Sequence, residues 1–215
     1  MEKAINIEDI RTDYRLAELH EDQVDQDPIK QFKLWFEEAL KAQVIEVNAM
    51  TLSTIDLAGN PSARIVLLKD IEQDGFVFYT NYQSHKGKEL ALHPMVSLVF
   101  FWPDLQRQVR IKGTVKKVNN QTAEDYFHSR PLGSQLGAWA SPQSNVIANR
   151  AVLERNLAAV MEEYKDQQVP KPPHWGGYLV VPSSLEFWQG RANRLHDRIL
   201  YAKDGNNWNI ARLAP

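Results

Sequence analysis

The first 26 residues are mostly polar, and their apolar positions are too sparse to define one face of an element. This pattern predicts a loose helix, or an arm that becomes ordered on a partner. Asp27-Pro28 then has the form of a helix N-cap followed by a first-turn proline. Apolar residues at helical spacing predict an amphipathic helix that runs to about residue 43. These residues are Ile29, Phe32, Trp35, Phe36, Ala39 and Leu40.

From residue 49 the pattern changes to short β-branched and aromatic runs separated by turn residues. Between the runs we expect a short helix capped by Ser84, helices at 122–129 and 150–167, and an irregular stretch at 133–149. Strands and helices do not alternate regularly, which disfavours a doubly wound parallel sheet. We expect a mainly β (α+β) fold, an antiparallel barrel surrounded by helices. The predicted strands are 49–56, 64–69, 76–80, 96–102, 108–118, 178–181, 186–189, 196–201 and 208–212.

Composition narrows the classes of function. The chain has 215 residues and a formal net charge of −2, which argues against attraction of the whole surface to nucleic acid or an anionic membrane. It has no cysteine, which excludes disulfides, thiolate metal sites and a cysteine nucleophile. The N-terminus lacks the apolar core of a signal peptide, and the apolar run at 95–102 is much shorter than the ~20 residues of a membrane span. We therefore expect a soluble, cytoplasmic protein.

The most specific candidate site is the run Arg194-Leu195-His196-Asp197-Arg198. On a strand, Arg194, His196 and Arg198 point to one face. Three potential cations on one face are costly in a core unless an anion lies there. The alternative is a solvated edge strand, which the neighbouring Trp188 and Tyr201 disfavour.

Three weaker clusters also offer cations and hydroxyl groups to an anion. They are Arg64 with Lys69 at the ends of an apolar strand, Ser84-His85-Lys86 at a helix start, and Tyr126 with Arg130 and Ser134. Each taken alone is also explained by ordinary strand-end, capping or helix-end charges. Catalytic motifs such as HExxH, GxSxG, a Walker loop or GxGxxG are absent, and we expect no metal. The clusters together favour small phosphorylated ligands, more than one, over a polymer.

Several segments in a fixed order resemble the pyridoxamine 5′-phosphate oxidase family, and the resemblance extends from about Arg11 to the C-terminus. The segments are RIVLLK, VFYTNYQSHKGKEL, RQVRIKGTV, YFHSRPLGSQLGAWASPQS, EFWQG and RLHDR. The combination of EFWQG, RLHDR and RIVLLK is highly specific, whereas each part alone is weak.

The resemblance implies an FMN-binding split β-barrel of antiparallel strands and a homodimer with one non-covalent FMN per subunit at the dimer interface. Residues 1–26 then form an N-terminal arm or substrate lid, and 27–215 a single domain that includes the C-terminal dimerisation and substrate-binding region. The implied reaction is oxidation of pyridoxine or pyridoxamine 5′-phosphate to pyridoxal 5′-phosphate. O2 is the electron acceptor, H2O2 is released, and the amine substrate also releases ammonia.

The resemblance also implies residue roles. Arg194 and His196 are the catalytic candidates, which hold the pyridine ring over the flavin. The substrate-binding residues are Lys69, Tyr126, Arg130, Ser134, Arg194 and His196, with Arg11 and Tyr14 in the lid. The FMN-binding residues are Arg64, Ile65, Val66, Leu67, Leu68, Lys69, Tyr79, Thr80, His85, Lys86, Gln108, Gln143, Ser144, Trp188 and Arg198.

One departure concerns FMN: His85 stands where many relatives have arginine beside the FMN phosphate. Since histidine has a reference pKa of ~6.5, FMN affinity is expected to be weaker or more dependent on pH. Glu46, where some relatives carry Asp or Glu near the substrate, receives little weight. Other classes of function stay open: a flavin reductase-like split-barrel protein, a pyridoxal phosphate binder without oxidase activity, and a nucleic-acid module.

Overall fold

The structure is a computed structural model that describes residues 6–9, 13–72 and 74–215. Its helices are α1 (Pro28–Lys41), α2 (His85–Leu92), α3 (Asn120–Ser129), α4 (Leu132–Ala140) and α5 (Arg150–Glu163). Its strands are β1 (Ala49–Ile55), β2 (Pro61–Leu67), β3 (Asp70–Glu72), β4 (Gly75–Asn81), β5 (Met95–Trp102), β6 (Arg107–Lys117), β7 (Trp175–Gln189), β8 (Asp197–Asp204) and β9 (Asn207–Arg212). Short 3₁₀ turns lie at Ile7–Asp9, Pro103–Leu105 and Ala192–Arg194.

The chain divides into two compact units, and three strands contribute residues to both. The first unit comprises 1–47, 99–111 and 184–215, and the second comprises 48–98 and 112–183. The predicted division into an arm at 1–26 and one domain at 27–215 stays a prediction.

An aromatic core and helix α1 define the first unit. Asp27 caps α1 as predicted, because its Oδ1 accepts a hydrogen bond from the Ile29 N–H at 2.8 Å. The α1 residue Phe32 is fully buried and packs on Phe100 with 4.9 Å between ring centroids. The end of β7 pairs antiparallel with β8, which pairs antiparallel with β9.

Part of the N-terminal segment is fixed to these strands without forming a helix. Leu19 and Val24 are buried, and the Tyr201 hydroxyl donates to the Asp25 carbonyl at 2.7 Å. Arg212 of β9 donates to the Leu19 carbonyl at 2.9 Å. Of the two alternatives for this segment, a loose helix does not occur at residues 13–24.

The second unit contains the strands that carry most of the predicted site. The strands hydrogen-bond in the order β2-β1-β5-β6-β7-β4-β3. β1 with β2, β3 with β4, and β4 with β7 are antiparallel pairs. Tyr79 of β4 lies opposite Gly177 of β7, where a Cβ would come within 2.8 Å of the Tyr79 ring. Glycine at 177 therefore leaves the space that the Tyr79 ring occupies.

Three details of the predicted elements were wrong. The strands predicted at 178–181 and 186–189 are one strand of 15 residues, since Pro182 lies inside β7 rather than ending it. Part of the stretch expected to be irregular is helix α4: Gly133 lowers its helix propensity, but Leu136 and Ala140 bury one face. The three-residue strand β3 had no strong pattern and was not predicted.

Candidate functional site

A cavity of about 480 Å³ in the second unit gathers eleven of the predicted site residues. Strand β2 and the residues after it supply one wall and β4 a second. Helices α2, α3 and α4, the loop after α4 and the first residue of β7, Trp175, complete the lining. The predicted residues that line the cavity are Ile65, Val66, Leu67, Lys69, Tyr79, Thr80, Lys86, Tyr126, Arg130, Ser134 and Gln143.

The cavity is positively charged. Lys69, Lys86 and Arg130 line it, and its described lining contains no aspartate or glutamate. Burial and the nearby charge of Arg64 lower the pKa of Lys86, against the opposing effect of Glu89. Burial also lowers the pKa of Arg130. A bound anion would relieve the cost of keeping these cations out of water.

Arg130 is the cavity cation with a buried nitrogen that has no hydrogen-bond partner among the described residues. Its Nη1 is buried and has no hydrogen-bond partner among the described residues. Its guanidinium lies over the Trp175 ring, 4.7 Å from the centroid, and 5.6 Å from that of Phe127. The Gln135 amide donates to the Arg130 carbonyl at 2.8 Å. Both the backbone and the plane of the guanidinium are therefore held, while one nitrogen stays unpaired.

Three aromatic rings form a stack beside Arg130. The Tyr79 ring is 4.0 Å from the Tyr126 ring and 5.3 Å from the Trp175 ring, with interplanar angles of 20° and 10°. Burial, reinforced by Tyr126, raises the pKa of Tyr79 to about 12. Its hydroxyl is therefore protonated at neutral pH.

Four predicted FMN residues of the second unit lie near the cavity in sequence but do not line it: Arg64, Leu68, His85 and Ser144. The Arg64 guanidinium contacts protein groups instead, including the Ser62 hydroxyl at 2.8 Å and the Glu89 carboxylate at 3.2 Å. Leu68 is buried in the core. His85 lies in a separate shallow groove, because Lys86 and not His85 faces the cavity from α2.

Ser144 and the other FMN candidates are distributed along the chain. Ser144 follows Gln143 and has left-handed backbone, with φ 70°. Gln108 lies in β6 and Trp188 in β7. Arg198 lies in β8, where its Nε donates to Glu186 at 2.9 Å. The FMN roles of all of them stay predictions.

Glu186 is a buried carboxylate that the sequence did not single out. It accepts from Arg198 at 2.9 Å and from Arg110 at 3.1 Å. Its exposed fraction is 8%, so the two guanidinium groups provide its charge compensation. The only signal in the sequence is its place in the EFWQG motif.

Arg194 and His196 are not on a strand, which corrects the expectation that they share one strand face with Arg198. Arg194 ends the 3₁₀ turn Ala192–Arg194, and β8 begins only at Asp197. Asn193 and Arg194 both have left-handed backbone, with φ 57° and 62°. Two consecutive left-handed residues interrupt the extended backbone of a regular strand, so the alternation that the sequence suggested does not hold there.

His196 belongs to an aromatic cluster of the first unit. Its ring lies 4.6 Å from the Trp188 ring and 5.9 Å from the Tyr14 ring. The Tyr14 and Trp188 rings meet edge to face at 5.8 Å. Tyr14, a predicted lid residue, is thus in contact with both, whereas Arg11 lies outside the described residues.

We expect His196 to be neutral at pH 7, with its proton on Nε2. Its Nδ1 accepts the Arg191 backbone N–H at 3.0 Å. Burial and then Arg194 lower its pKa, although Asp197 opposes them. The pKa of His196 is therefore lower in the folded chain than in the unfolded chain. Because the unfolded chain then binds more protons below pH ~6.5, the free energy of unfolding falls as the pH decreases in that range.

NMR of the chain labelled at histidine checks this prediction. We expect a titration midpoint below 6.5 and a shift of Nε2 typical of a protonated ring nitrogen at pH 7. A His196 midpoint above ~6.5 would contradict the prediction.

Among the described residues, none of the helices combines the length and the apolar character of a membrane span. The same residues contain no group of three or more histidine, aspartate or glutamate side chains placed to hold a metal ion.

Similarity to solved structures agrees with an antiparallel split β-barrel surrounded by helices. PhzG from Burkholderia lata 383, solved with tetrahydrophenazine-1-carboxylic acid, aligns with a TM-score of 0.86 and 29% identity over 90% of this chain and 95% of that one. A pyridoxamine 5′-phosphate oxidase-related, FMN-binding protein from Nostoc punctiforme PCC 73102 aligns with a TM-score of 0.70 over 89% of this chain and all of that one; at 15% identity it supports the fold alone. The fold therefore belongs to the split-barrel class, as predicted.

Sequence comparisons identify the family within this class. The model described as pyridoxamine 5′-phosphate oxidase matches residues 36–163, and that of the pyridoxine 5′-phosphate oxidase C-terminal dimerisation region matches 175–215. Relatives named pyridoxine/pyridoxamine 5′-phosphate oxidase are 54% identical in Cyanothece sp. (strain PCC 7425 / ATCC 29141) and 56% identical in Ralstonia pickettii (strain 12J). Each alignment covers 98% of this chain and 99% of the relative. The chain belongs to the pyridoxamine 5′-phosphate oxidase family.

Proposed function

We propose that this protein uses FMN and O2 to oxidise pyridoxine 5′-phosphate or pyridoxamine 5′-phosphate to pyridoxal 5′-phosphate. The observation that carries the proposal is the buried Arg130 Nη1, unpaired within the described chain, in a cavity lined by cations without carboxylates. Such a site demands a compact anion, which the phosphate of these substrates supplies. Membership of the family and the names of its relatives point to the same substrate class.

The residues of the cavity fit FMN as well as substrate. Lys86 has a lowered pKa and no acidic neighbour in the described lining, so it suits a phosphate. The edge of β2 at 65–67, together with Thr80 and Gln143, offers backbone and side-chain polar groups to a flat heterocycle. When bound, FMN supplies a two-electron acceptor, a chemistry that no protein side chain provides.

Four side chains are assigned to the substrate phosphate. Lys69 and Arg130 provide the charge, and the hydroxyl groups of Tyr126 and Ser134 provide further donors. Their convergence on one cavity orients the bound substrate, which lowers the entropic part of the barrier. Selectivity for phosphorylated substrates follows most directly from Arg130, because without the phosphate its buried Nη1 has no partner among the described residues.

Arg194 and His196 are assigned to the pyridine ring. In the neutral ring expected at pH 7, the Nε2–H of His196 can donate to an oxygen substituent, since its Nδ1 is occupied by the Arg191 N–H. Arg194 has an exposed guanidinium and adds a fork of donors. We assign both residues to substrate binding and assign neither the role of a general base.

The reaction balances with O2 as the only other oxidant. The alcohol loses two electrons and two protons to O2, and the products are the aldehyde and H2O2. The amine also consumes one water molecule and releases ammonia. We propose that the protein works as a homodimer, because residues 175–215 match the dimerisation region of the family.

Anaerobic reduction tests the proposed function directly. The protein is loaded with FMN, mixed with pyridoxine 5′-phosphate without oxygen, and followed by the visible flavin absorption. We expect the band to bleach, to return when air is admitted, and pyridoxal 5′-phosphate to appear. A bound flavin that never bleaches would move the function to another substrate or to binding alone, and failure to retain flavin would contradict the assignment of the cofactor. The predicted cytoplasmic location stays a prediction that cell fractionation checks.

A further inference from the structure

Trp175 has no assigned role, yet it lines the cavity beside Arg130. It is the first residue of β7 and only 6% exposed. Its ring is within 4.7 Å of the Arg130 guanidinium and nearly parallel to the rings of Tyr79 and Tyr126. It therefore contacts two of the side chains assigned to the substrate phosphate.

The contact answers a specific electrostatic problem. Arg130 is a partly buried cation, and the described residues include no carboxylate within ion-pair distance of it. A carboxylate would stabilise the charge but would also occupy the N–H donors that must bind the ligand. The face of an indole attracts a guanidinium through its π electrons and leaves the donor edge free. A tryptophan beneath Arg130 is thus compatible with anion binding in a way that an ion pair is not.

Two other groups restrict the remaining freedom of Arg130. The Gln135 amide donates to the backbone carbonyls of Arg130 and His128, at 2.8 and 3.3 Å, and holds the end of α3. Phe127 faces the guanidinium at a longer distance of 5.6 Å. Of the contacts to the guanidinium plane, that of Trp175 is the shorter one, so its loss affects the orientation of the charged group most.

We propose that Trp175 is a positioning residue that holds the Arg130 guanidinium flat and ready to bind the substrate phosphate. The proposal rests on the proposed function, because it takes the phosphate of that substrate as the ligand of Arg130. Trp175 acts through Arg130 and does not itself bind the phosphate. Its removal should therefore weaken the binding of phosphorylated ligands and leave the affinity for ligands without a phosphate unchanged.

The test is Trp175→Phe, which keeps an aromatic ring in the core but weakens the attraction to the cation. Binding of pyridoxal 5′-phosphate and of pyridoxal to the FMN-loaded protein is measured by calorimetry. We expect the Kd of pyridoxal 5′-phosphate to rise about 5-fold, which corresponds to a loss of about 1 kcal/mol. The Kd of pyridoxal is expected to stay unchanged. In kinetics with pyridoxine 5′-phosphate, KM should rise by a similar factor with little change in kcat.

Trp35→Phe is the matched control. Trp35 is 4% exposed and also lies under an arginine, 4.4 Å from Arg107, but neither residue lines the cavity. The same substitution there should leave both Kd values unchanged. A loss of binding in this control equal to that of Trp175→Phe would overturn the proposal, since general loosening of the core would then explain both.

A double-mutant cycle separates positioning from packing. In an Arg130→Met background, Trp175→Phe should change the Kd of pyridoxal 5′-phosphate by less than about 1.5-fold, because the group it positions is gone. An equal loss in both backgrounds would overturn the proposal, as would no effect in the native background. If the unchanged protein binds pyridoxal 5′-phosphate but does not oxidise pyridoxine 5′-phosphate, the proposed function fails while the binding cycle still decides the role of Trp175.

Discussion

Arg130→Met should lower kcat/KM for pyridoxine 5′-phosphate by about 10²- to 10³-fold. The substitution keeps the length and apolar stem of the side chain but removes the guanidinium. Losing a charge-assisted pair with a phosphate in a partly buried site costs about 3–4 kcal/mol, and every 1.4 kcal/mol is a factor of ten. Steady-state kinetics with pyridoxine 5′-phosphate and with unphosphorylated pyridoxine measure the effect. We expect the loss with the phosphorylated substrate only.

Although Arg130→Met should lower activity, its free energy of unfolding should not fall. Burial lowers the pKa of Arg130 and its Nη1 has no partner in the described chain, so the charge is held at a cost before ligand binds. Removing it relieves this cost, although the contact with Trp175 is lost as well. We expect the free energy of unfolding of the ligand-free protein to stay unchanged or to rise by up to about 1 kcal/mol.

Arg155→Met is the control for Arg130→Met. Arg155 lies on the exposed side of α5 and is absent from the cavity lining. Its substitution should leave both kinetics and stability unchanged. Equal losses of Arg130→Met with phosphorylated and unphosphorylated substrate would contradict the assignment of Arg130 to the phosphate.

The elements could be predicted where local signals were strong. The Asp27 and Ser84 caps are both present, and each accepts the N–H of a first-turn residue. The alternation that ends at Trp102 and starts again near residue 108 corresponds to β5 and β6. Prediction failed where tertiary contacts override local preference, as in α4, whose buried face compensates for its two glycines.

The site could be predicted only in part for a related reason. The cluster of Tyr126, Arg130 and Ser134 was visible because the three residues are close in the sequence. The contact between Arg130 and Trp175 joins residues 45 positions apart, and a tryptophan in an apolar strand has the pattern of a core residue. Positive φ at Arg194 was also invisible, because alternating charges in RLHDR have the period of a strand.

Arg194→Gly should reduce kcat by about 10²-fold while the protein becomes no less stable. Arg194 is exposed, so the folded protein depends little on its side chain. Its φ of 62° costs a non-glycine residue about 1–2 kcal/mol, whereas glycine adopts it freely. The greater entropy of glycine in the unfolded chain offsets about 0.5–1 kcal/mol of this gain. The net expectation is a free energy of unfolding that is unchanged or about 1 kcal/mol higher.

Strain of this kind persists only where the surrounding structure over-determines the backbone, and such residues are frequent at functional sites. If Arg194 orients the pyridine ring, its loss misplaces the reacting carbon, and small misplacements cost about 10²-fold in rate. Arg194→Ala provides the comparison, because it removes the guanidinium but keeps the strained backbone. We expect it to match Arg194→Gly in activity and to be the less stable of the two, with FMN bound equally in both.

Gln43→Gly is the control for the backbone effect alone. Gln43 follows α1, is exposed and has a similar φ of 55°. It should gain stability by a similar amount without any change in kinetics. Denaturant unfolding and steady-state kinetics of the three variants therefore separate strain from function. At position 194, glycine should lower activity without lowering stability. At position 43, glycine should raise stability and leave activity unchanged. Unchanged kcat in Arg194→Gly would contradict the assignment of Arg194 to the substrate site, because the variant lacks the guanidinium that is assigned to the pyridine ring.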